Sequence, residues 1–314
     1  MRGQGPDGVD IPRAQAGQNP QHLLATLLGE YFDSPDADLP SAAVVAMLGE
    51  FGISESSARS ALSRLARRGL IAARRPGRRV TYHVTPQAMA SHRAYLRRFL
   101  TFGAEPPEWT GDWTVVAFSL PEPGQAHRHS VRRTLSSLGF VRLYDSVWMR
   151  PGRDTRAASR AMADVLSDVA HARWSVVCAR FDDEAGPHGP AAAYDLDGLA
   201  VAYQNFIDEY RELRAAVHAG EVDAARAFIV RTSVMDSWRS LVLVDPDLPE
   251  HLLPTPWPRP RAREIFLDIH ATLGPLAASR LVEITTPYWP AAASWVTHFR
   301  LAAAPMPGRP AGAR

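Results

Sequence analysis

The sequence predicts an α+β protein with an N-terminal winged helix-turn-helix, a central ferredoxin-like domain and a mainly helical C-terminal domain. Three observations lead to this class. First, three segments with apolar residues at helical spacing precede an arginine-rich hairpin. Second, the middle of the chain has the predicted element order β-α-β-β-α-β. Third, apolar residues at helical spacing dominate the sequence after about residue 198. With 314 residues the chain has room for two or three such domains.

Changes in composition set the boundaries that we predict. Residues 101–112 form a linker, and a second stretch rich in proline, glycine and acidic residues lies before residue 198. Few large apolar residues occur in 1–20 and 303–314, so we expect disordered tails there. The predicted domains are a winged helix over 21–100, a ferredoxin-like domain over 113–182 and a helical domain over 198–300.

The first domain begins with three helices. "HLLATLLGEYF" repeats leucine at helical spacing, and "LPSAAVVAMLGEFG" starts near Pro40 and stops at Gly52. Ser54 is a suitable N-cap for the third helix, which we expect to end at Gly69. Its predicted inward residues are Ala58, Ala61, Leu62, Leu65 and Ala66.

A hairpin follows the third helix. Residues 70–73 form a short apolar strand, and the Pro-Gly pair of "RRPGRR" favours a type II turn. "VTYHV" then alternates as a second strand. Three helices and a hairpin in this order predict a winged helix-turn-helix.

The middle and last domains contain two further features with structural consequences. Cys178 lies in "WSVVCARF", which has the pattern of a buried strand, so we predict a core thiol. "DPDLPEHLLPTPWPRP" has too many prolines for a helix, and we expect it to wrap the last domain as ordered coil.

Positive charge is concentrated in one part of the sequence. All 35 basic residues are arginines, which indicates a general composition bias, but eight of them lie in residues 54–85 with only one acid. The net charge there is +7, in a chain whose total is +2. Such a cluster is typical of a surface that binds a polyanion.

The third helix and the hairpin place these arginines where DNA would be contacted. Small hydroxyl side chains allow a helix to approach the major groove, and an arginine can donate two hydrogen bonds to guanine. We predict base reading by the first turns of the helix and phosphate or minor-groove contacts by the hairpin. The predicted DNA-binding residues are Ser56, Ser57, Arg59, Ser60, Ser63, Arg64, Arg67, Arg74, Arg75, Arg78 and Arg79. The competing explanation is a solvated helix face and a charged loop.

Several motifs together resemble the PaaX family of bacterial repressors of phenylacetate degradation. They are "LLGEYF", "GISESSARSALSRLARRGLI", "GRRVTYHVT", "WTVVAFSLPE", "VWMRP" and "RAFIVRTSVMDSWRSLVLVDPDLPEHLLPTPWP". The resemblance covers about residues 21–290 and is most specific in the pattern DPxLPxxLLPxxWP. It implies a Cas2-like middle domain, a homodimer and an aryl-CoA effector such as phenylacetyl-CoA. A dimer would bind an inverted-repeat operator.

A CoA effector would need cationic partners for its phosphates, and the helical domain has candidates. Arg226, Arg231 and Arg239 lie near the apolar Phe228 and Trp238. Arginine suits phosphate because its planar group donates paired hydrogen bonds. We therefore predict Arg226, Arg231, Arg239 and Trp238 as effector-binding residues, against the alternative that the arginines form ordinary ion pairs.

Other functions remain open on the sequence. A Cas2-like domain can be a metal-dependent nuclease, but the first strand ends in Ser-Leu-Pro before Glu122, with no aspartate to begin a metal site. A module that holds DNA constitutively and recruits a protein is a second alternative. RNA is a weaker one, since we find no RNP-type aromatic motif on a predicted strand and no Gly-x-x-Gly loop of the KH kind.

Composition limits the remaining classes. One cysteine excludes an internal disulfide framework and a multi-cysteine zinc site. No apolar run reaches membrane-spanning length, and the polar N-terminus does not resemble a signal peptide. We therefore expect a cytoplasmic, non-enzymatic regulator without a cofactor.

Overall fold

The computed structural model describes residues 19–74, 80–105, 109–121, 125–182 and 189–300. The helices are α1 (Pro20–Tyr31), α2 (Ser41–Gly49), α3 (Glu55–Arg67), α4 (Pro86–Thr101), α5 (Gln125–Ser137), α6 (Thr155–Val165), α7 (Leu196–His218), α8 (Ala224–Val244), α9 (Arg259–Thr272), α10 (Gly274–Thr285) and α11 (Ala292–Trp295). The strands are β1 (Leu39–Pro40), β2 (Ile71–Arg74), β3 (Thr81–Val84), β4 (Trp113–Ser119), β5 (Val141–Tyr144), β6 (Val147–Pro151) and β7 (Arg173–Ala179). The predicted tails, apart from Asn19 and Pro20, lie outside the described residues.

Contacts divide the chain into two compact units. The first unit combines residues up to 102 with 206–242 and the residues from 261 onward, and the second consists of 103–205 and 243–260. The N-terminal helices therefore share a unit with most of the C-terminal helices. The domain boundaries that we drew from the sequence stay predictions.

One hydrophobic core holds the first unit together. Leu24, Met47 and Leu62 from the three N-terminal helices pack in it with Phe228 of α8 and Leu281 of α10. Burial of such side chains contributes about 1.5–3 kcal/mol each, so the C-terminal helices stabilise the N-terminal ones directly. No pattern within a single segment predicts this long-range packing.

The start and end of α3 follow the sequence prediction. The Ser54 side chain accepts a hydrogen bond from the backbone N–H of Ser57, as an N-cap does. Gly69 has a φ of +71°, a conformation that favours glycine, and Leu70 N–H donates to the carbonyl of Leu65 at 3.0 Å. Ala58, Ala61, Leu62 and Leu65 are buried as predicted, while Ala66 is half-buried.

The hairpin is part of a small antiparallel sheet. Its strand order is β1-β3-β2, with Ile71 opposite Val84 and Arg74 opposite Thr81. β1, only two residues long, was not predicted. The predicted Pro-Gly turn lies outside the described residues.

The second unit contains the predicted β-α-β-β-α-β order of elements. Its four strands form an antiparallel sheet in the order β5-β6-β4-β7. Successive residues of β4 point to opposite faces. Val116 and Phe118 pack with Val131 of α5 and Met162 of α6, so the two helices cover one face.

The other face of this sheet is covered by the proline-rich segment after α8. Leu248, Leu252 and Leu253 pack with Trp113 of β4 and Met149 of β6. We predicted that this segment wraps the last domain; Asp245 and Trp257 do contact Tyr203 of α7, but the leucines pack on the sheet of the middle domain instead. These leucines bury the apolar sheet face that α5 and α6 leave uncovered.

Cys178 also differs from its prediction. It lies in β7, as expected, but its side chain is exposed. β7 is an edge strand, and Trp174 and Val176 are its residues that pack with the helices. An apolar run at a sheet edge does not require burial on both faces.

The length and hydropathy of the described helices bear on whether they could span a bilayer. No single one of them combines the length and hydropathy that a membrane span requires, although α9 and α10, with a bend of 44° between them, pass together by length and composition.

Candidate nucleic-acid interface

One face of α3 carries polar side chains away from the core. Ser56, Arg59, Ser60, Ser63, Arg64 and Arg67 are exposed, and Ser57 is half-buried. Helical spacing explains this arrangement, because the alanines and leucines between them are the residues that anchor α3 in the core. The helix thus presents hydroxyl groups and arginines along one surface, which we call the α3 face. A role of these residues in DNA binding stays a prediction.

The arginine nearest the start of the α3 face is paired with an acid. Arg59 donates from Nε and Nη2 to Glu55 Oε1 at 2.9 and 2.6 Å. The two side chains are 59% and 64% exposed. Exposed pairs of this kind stabilise a helix by only about 0.3–0.5 kcal/mol, so a stronger acceptor can displace Glu55 at little cost.

Three serines form a hydroxyl cluster at the N-terminus of α3. Ser54 Oγ lies 3.1 Å from Ser56 Oγ and 3.0 Å from Ser57 Oγ, while it also caps the helix. The first N–H groups of a helix and its dipole attract anions. The first turn of α3 therefore combines hydrogen-bonding hydroxyls with a positive helix end.

The hairpin that follows α3 carries further predicted DNA-binding arginines. Arg74 is exposed and donates from Nη1 to the Asp38 carboxylate at 3.1 and 3.2 Å. The other three predicted hairpin arginines, Arg75, Arg78 and Arg79, lie outside the described residues.

Thr85 fixes the base of the hairpin to the end of α3. Its Oγ1 donates to the carbonyl of Gly69 at 2.9 Å, and its N–H donates to the carbonyl of Leu70 at 3.1 Å. The same Oγ1 accepts from the N–H of Ala88 at 3.3 Å and caps α4. The base of the hairpin is thus attached both to α3 and to α4.

The predicted effector arginine Arg231 lies inside the first unit. It is 1% exposed and forms an ion pair with Glu30, which is 2% exposed. Its Nε and Nη2 donate to the carbonyls of His270 and Phe299 at 3.0 and 3.3 Å, and its guanidinium lies over the Tyr31 ring. In this structure its donors are therefore used within the protein.

The neighbouring side chains keep the buried Glu30 carboxylate ionised. Burial alone would raise the pKa of the Glu30 carboxyl, but Arg231 and His270 outweigh burial and lower it from 4.5 to about 2. Burial and the charge of Arg231 lower the pKa of His270. The arrangement is an Arg231–Glu30 ion pair with a neutral imidazole that lies 3.1 Å from Glu30 Oε2.

Two of the other predicted effector residues are also buried and bonded within the protein, and a role of the four in effector binding stays a prediction. Arg239 is 2% exposed and contacts Asp236 and Thr26, and Trp238 donates from its indole to the carbonyl of Phe99 at 2.8 Å. Arg226 alone is exposed, at the first turn of α8.

Sequence reasoning missed a cavity in the first unit, which we call the α4 cavity. Its volume is about 640 Å³, and its lining includes His92, Arg93 and Arg97 of α4 and Arg300 near the end of the described chain. The signal was present in "SHRAYLRRFL", where Arg93 and Arg97 lie four residues apart on one helix face. The contribution of residues 297–300 to the cavity has no comparable signal in the sequence.

A metal site would need several His, Cys, Asp or Glu side chains close together. Within the described ranges, no group of three or more His, Cys, Asp or Glu side chains lies close enough together to hold a metal ion. Glu122, named in the nuclease alternative, lies outside those ranges.

Comparison with known proteins identifies the family. Three family models match: "PaaX-like protein" over residues 19–88, "PaaX protein central Cas2-like domain" over 106–182 and "PaaX-like protein C-terminal domain" over 194–283. The chain belongs to the PaaX family. The resemblance seen in the sequence and its Cas2-like middle domain are thereby confirmed.

Two individual proteins show how far this similarity extends. The chain is 27% identical to "Transcriptional repressor PaaX" of Escherichia coli (strain K12), over 83% of this chain and 82% of that protein. Among solved structures, "Uncharacterized protein Rv0674 from Mycobacterium tuberculosis" is 22% identical, with a TM-score of 0.53 over 85% of this chain and 98% of the other. The second similarity shows a shared fold.

Proposed function

We propose that this protein is a transcriptional regulator that binds duplex DNA through the α3 face. The observation that carries the proposal is the set of arginines and hydroxyls that α3 presents to solvent. The membership of the chain in a family that includes a named transcriptional repressor supports it. A cytoplasmic location is part of the proposal.

We propose further that residues 21–100 form a winged helix-turn-helix. The succession of α2, α3 and the β2–β3 hairpin supports it, since a recognition helix and a wing have this order. Ser56, Arg59 and Ser60 would read base edges in the major groove. Ser57, Ser63, Arg64 and Arg67 would lie beside them, with the two arginines on phosphates. Arg74, Arg75, Arg78 and Arg79 would be the cationic side chains of the wing.

Binding through many arginines predicts a strong dependence on salt. If a homodimer engages about eight phosphates, log affinity should fall with log salt at a slope of roughly −7, or by ~10³–10⁵ between 50 and 200 mM. Selection of bound sequences from random DNA would supply the operator, which we expect to be an inverted repeat. A flat salt response, or an undivided site bound by a monomer, would contradict the corresponding part of the proposal.

The regulated step is proposed by family membership. We propose repression of an operon for aromatic or acyl-CoA catabolism, with release by an aryl-CoA thioester. Of the four residues predicted for the effector, Arg226 has the exposure that a phosphate ligand needs, while Arg231 and Arg239 are buried and would first have to leave their present partners. Calorimetric titration of aryl-CoA and alkyl-CoA thioesters into the DNA-free protein and its Arg226→Ala variant tests both points. Absence of heat from every thioester would remove the effector from the proposal and leave DNA binding untouched.

The alternative is a constitutive DNA-binding module that recruits a protein partner. It requires no ligand, so DNA affinity unchanged by every thioester in the same panel would favour it. A nuclease would instead cleave the DNA when divalent metal ions are present. The DNA-binding assay would show this cleavage as a loss of intact DNA.

A further inference from the structure

The α4 cavity has the dimensions and lining of a site for a small organic ligand. A volume of about 640 Å³ lies within the range of known ligand pockets. Leu28 and Phe32, from the region of the C-terminal end of α1, contribute apolar surface, as do Val84 and Met89. The polar lining comes mainly from α4 and from residues 297–300.

The charge of the lining selects the chemistry of the ligand. Of the three lining arginines, Arg93 is paired with Asp33, whereas Arg97 and Arg300 have no carboxylate partner among the described residues. The second lining acid, Glu30, is already bound to Arg231 and His270. The cavity therefore has two arginines whose charge is not neutralised by an acid, beside apolar surface.

Neutral histidines complete this lining. Burial and the neighbouring Arg300 lower the pKa of His298 to about 4, and His298 Nε2 accepts a hydrogen bond from Arg300 Nε at 2.6 Å. His298 thus holds Arg300 at the cavity without adding a charge of its own. An arginine held in this way loses less side-chain entropy when it binds a ligand.

His92 forms part of the cavity wall. Its side chain is buried, with a relative exposure of 6%, and its Nδ1, which faces α1, has no hydrogen-bond partner among the described residues. A buried polar atom without a partner is uncommon in native proteins. Gly29 lies directly opposite, where a Cβ atom would come within 3.2 Å of the ring, so the glycine lets the imidazole pack closely against α1.

We propose that the α4 cavity binds an organic anion, with its acid group held by Arg97 and Arg300 and its apolar part against Leu28, Phe32 and Met89. The role of this anion as a regulator of DNA binding rests on the proposed function. Either a phosphate monoester or a carboxylate supplies the acid group that the two arginines recognise.

The structure connects this cavity with the α3 face through α1. Phe299 N–H donates to the carbonyl of Glu30 at 2.8 Å, and Thr297 N–H donates to the carbonyl of Tyr31 at 2.9 Å. Residues 297–299 are therefore attached to the end of α1, which packs against α3 in the core. A ligand that moves residues 297–300 would therefore also move α1, on which α3 packs. Ligand affinity could then differ between the DNA-bound and DNA-free proteins, as coupling between two sites requires.

The binding test uses the full chain without DNA and three anionic probes: inorganic phosphate, phenyl phosphate and benzoate, with benzyl alcohol as the neutral control. We expect saturable binding of at least one anion, measured by calorimetry and by a rise in melting temperature. Arg97→Gln or Arg300→Gln should weaken it at least tenfold. Arg98→Gln removes the same charge from the same helix outside the cavity and should change it less than twofold. Tighter binding of phenyl phosphate than of benzoate assigns the acid group to a phosphate, and the reverse order assigns it to a carboxylate.

Two results would overturn the ligand site: no saturable binding by any of the three anions, or equal binding by the wild type and both cavity variants. Loss of DNA affinity in Arg97→Gln with unchanged anion binding would assign this arginine to DNA instead. The regulatory role is tested separately, by DNA affinity with and without saturating probe, and unchanged affinity would overturn it. Failure of the protein to bind DNA at all would refute the proposed function, while the result on the DNA-free protein would still decide the site.

Discussion

Arg59 on α3 has a side chain that is 59% exposed, whereas Arg231 and Arg239 on α8 are 1% and 2% exposed as residues. All three come from a sequence whose only strong base is arginine. The difference lies in the helices that carry them. α3 has one narrow apolar stripe and turns its arginines outward, while the buried residues of α8 cover about half of its circumference and include both arginines.

This comparison separates two uses of arginine. An outward arginine on a helix with one apolar face keeps its donors available for a partner molecule. An arginine on the broad buried face of a helix must find acceptors inside the protein, as Arg231 does with Glu30. The neighbours on the helix, more than the arginine itself, indicate which use applies.

The largest expected effect comes from breaking the buried pair. Arg231→Ala leaves the Glu30 carboxylate buried without its cation, which should lower the free energy of unfolding by about 3–5 kcal/mol. Urea denaturation measures the loss. Arg226→Ala, in the exposed first turn of the same helix, should stay within about 0.5 kcal/mol of the wild type. Similar small losses in both variants would erase the distinction between the two classes of arginine.

The pH dependence of stability sharpens the same point. The folded pKa of Glu30, about 2, lies below its unfolded value of 4.5, so the folded protein binds fewer protons. The resulting stabilisation, about 3 kcal/mol, is present above pH 4.5 and is lost as the pH falls toward 2. The stability difference between wild type and Glu30→Gln should therefore shrink between pH 6 and pH 2.5. A difference that stays constant over this range would show that the carboxylate is not preferentially ionised in the fold.

On α3 the expected effects concern DNA rather than the fold. Arg59→Ala should weaken binding to the selected operator by about 1–3 kcal/mol and relax the preference at one base pair. Arg64→Ala should weaken all sequences alike and make the salt slope shallower by about one unit. Fluorescence titration with operator and random DNA distinguishes these outcomes. Equal losses on both DNAs for Arg59→Ala would exclude base reading by this residue.

The smallest expected effect separates two serines of the same helix. Ser54→Ala removes the cap of α3 and should lower stability by about 1 kcal/mol. Ser60→Ala, in the exposed middle of the helix, should leave stability within about 0.5 kcal/mol and reduce DNA affinity instead. Thermal unfolding and DNA titration of both variants give the comparison. A larger stability loss in Ser60→Ala than in Ser54→Ala would contradict the assigned cap.

Much of the local structure could be predicted from the sequence, because local rules determine it. Ser54, Gly69 and the inward leucines of α3 follow capping and periodicity, and the order of elements in the second unit follows alternating and helical patterns. The exposed residues of the candidate α3 face follow from the same periodicity.

The remaining features depend on contacts between distant parts of the chain. The burial of Arg231 requires Glu30, about 200 residues earlier in the sequence, and the packing of Leu248 and Leu252 requires a bare sheet face. The α4 cavity brings together residues 28–33, 84–97 and 297–300. Periodicity within one segment contains no information on contacts between distant segments, so only the structure reveals them.

The bond between His270 and Glu30 joins residues 240 positions apart, and it lies in the unit that carries α3. During synthesis at about 5–20 residues per second, roughly 12–48 s separate the appearance of these two residues. Until Arg231 has been synthesised, the acidic group of α1 has neither of its final partners, and the apolar surface later covered by α10 stays open. The unit that carries α3 therefore completes its core only after nearly the whole chain has left the ribosome, and a chain interrupted before α8 cannot acquire it.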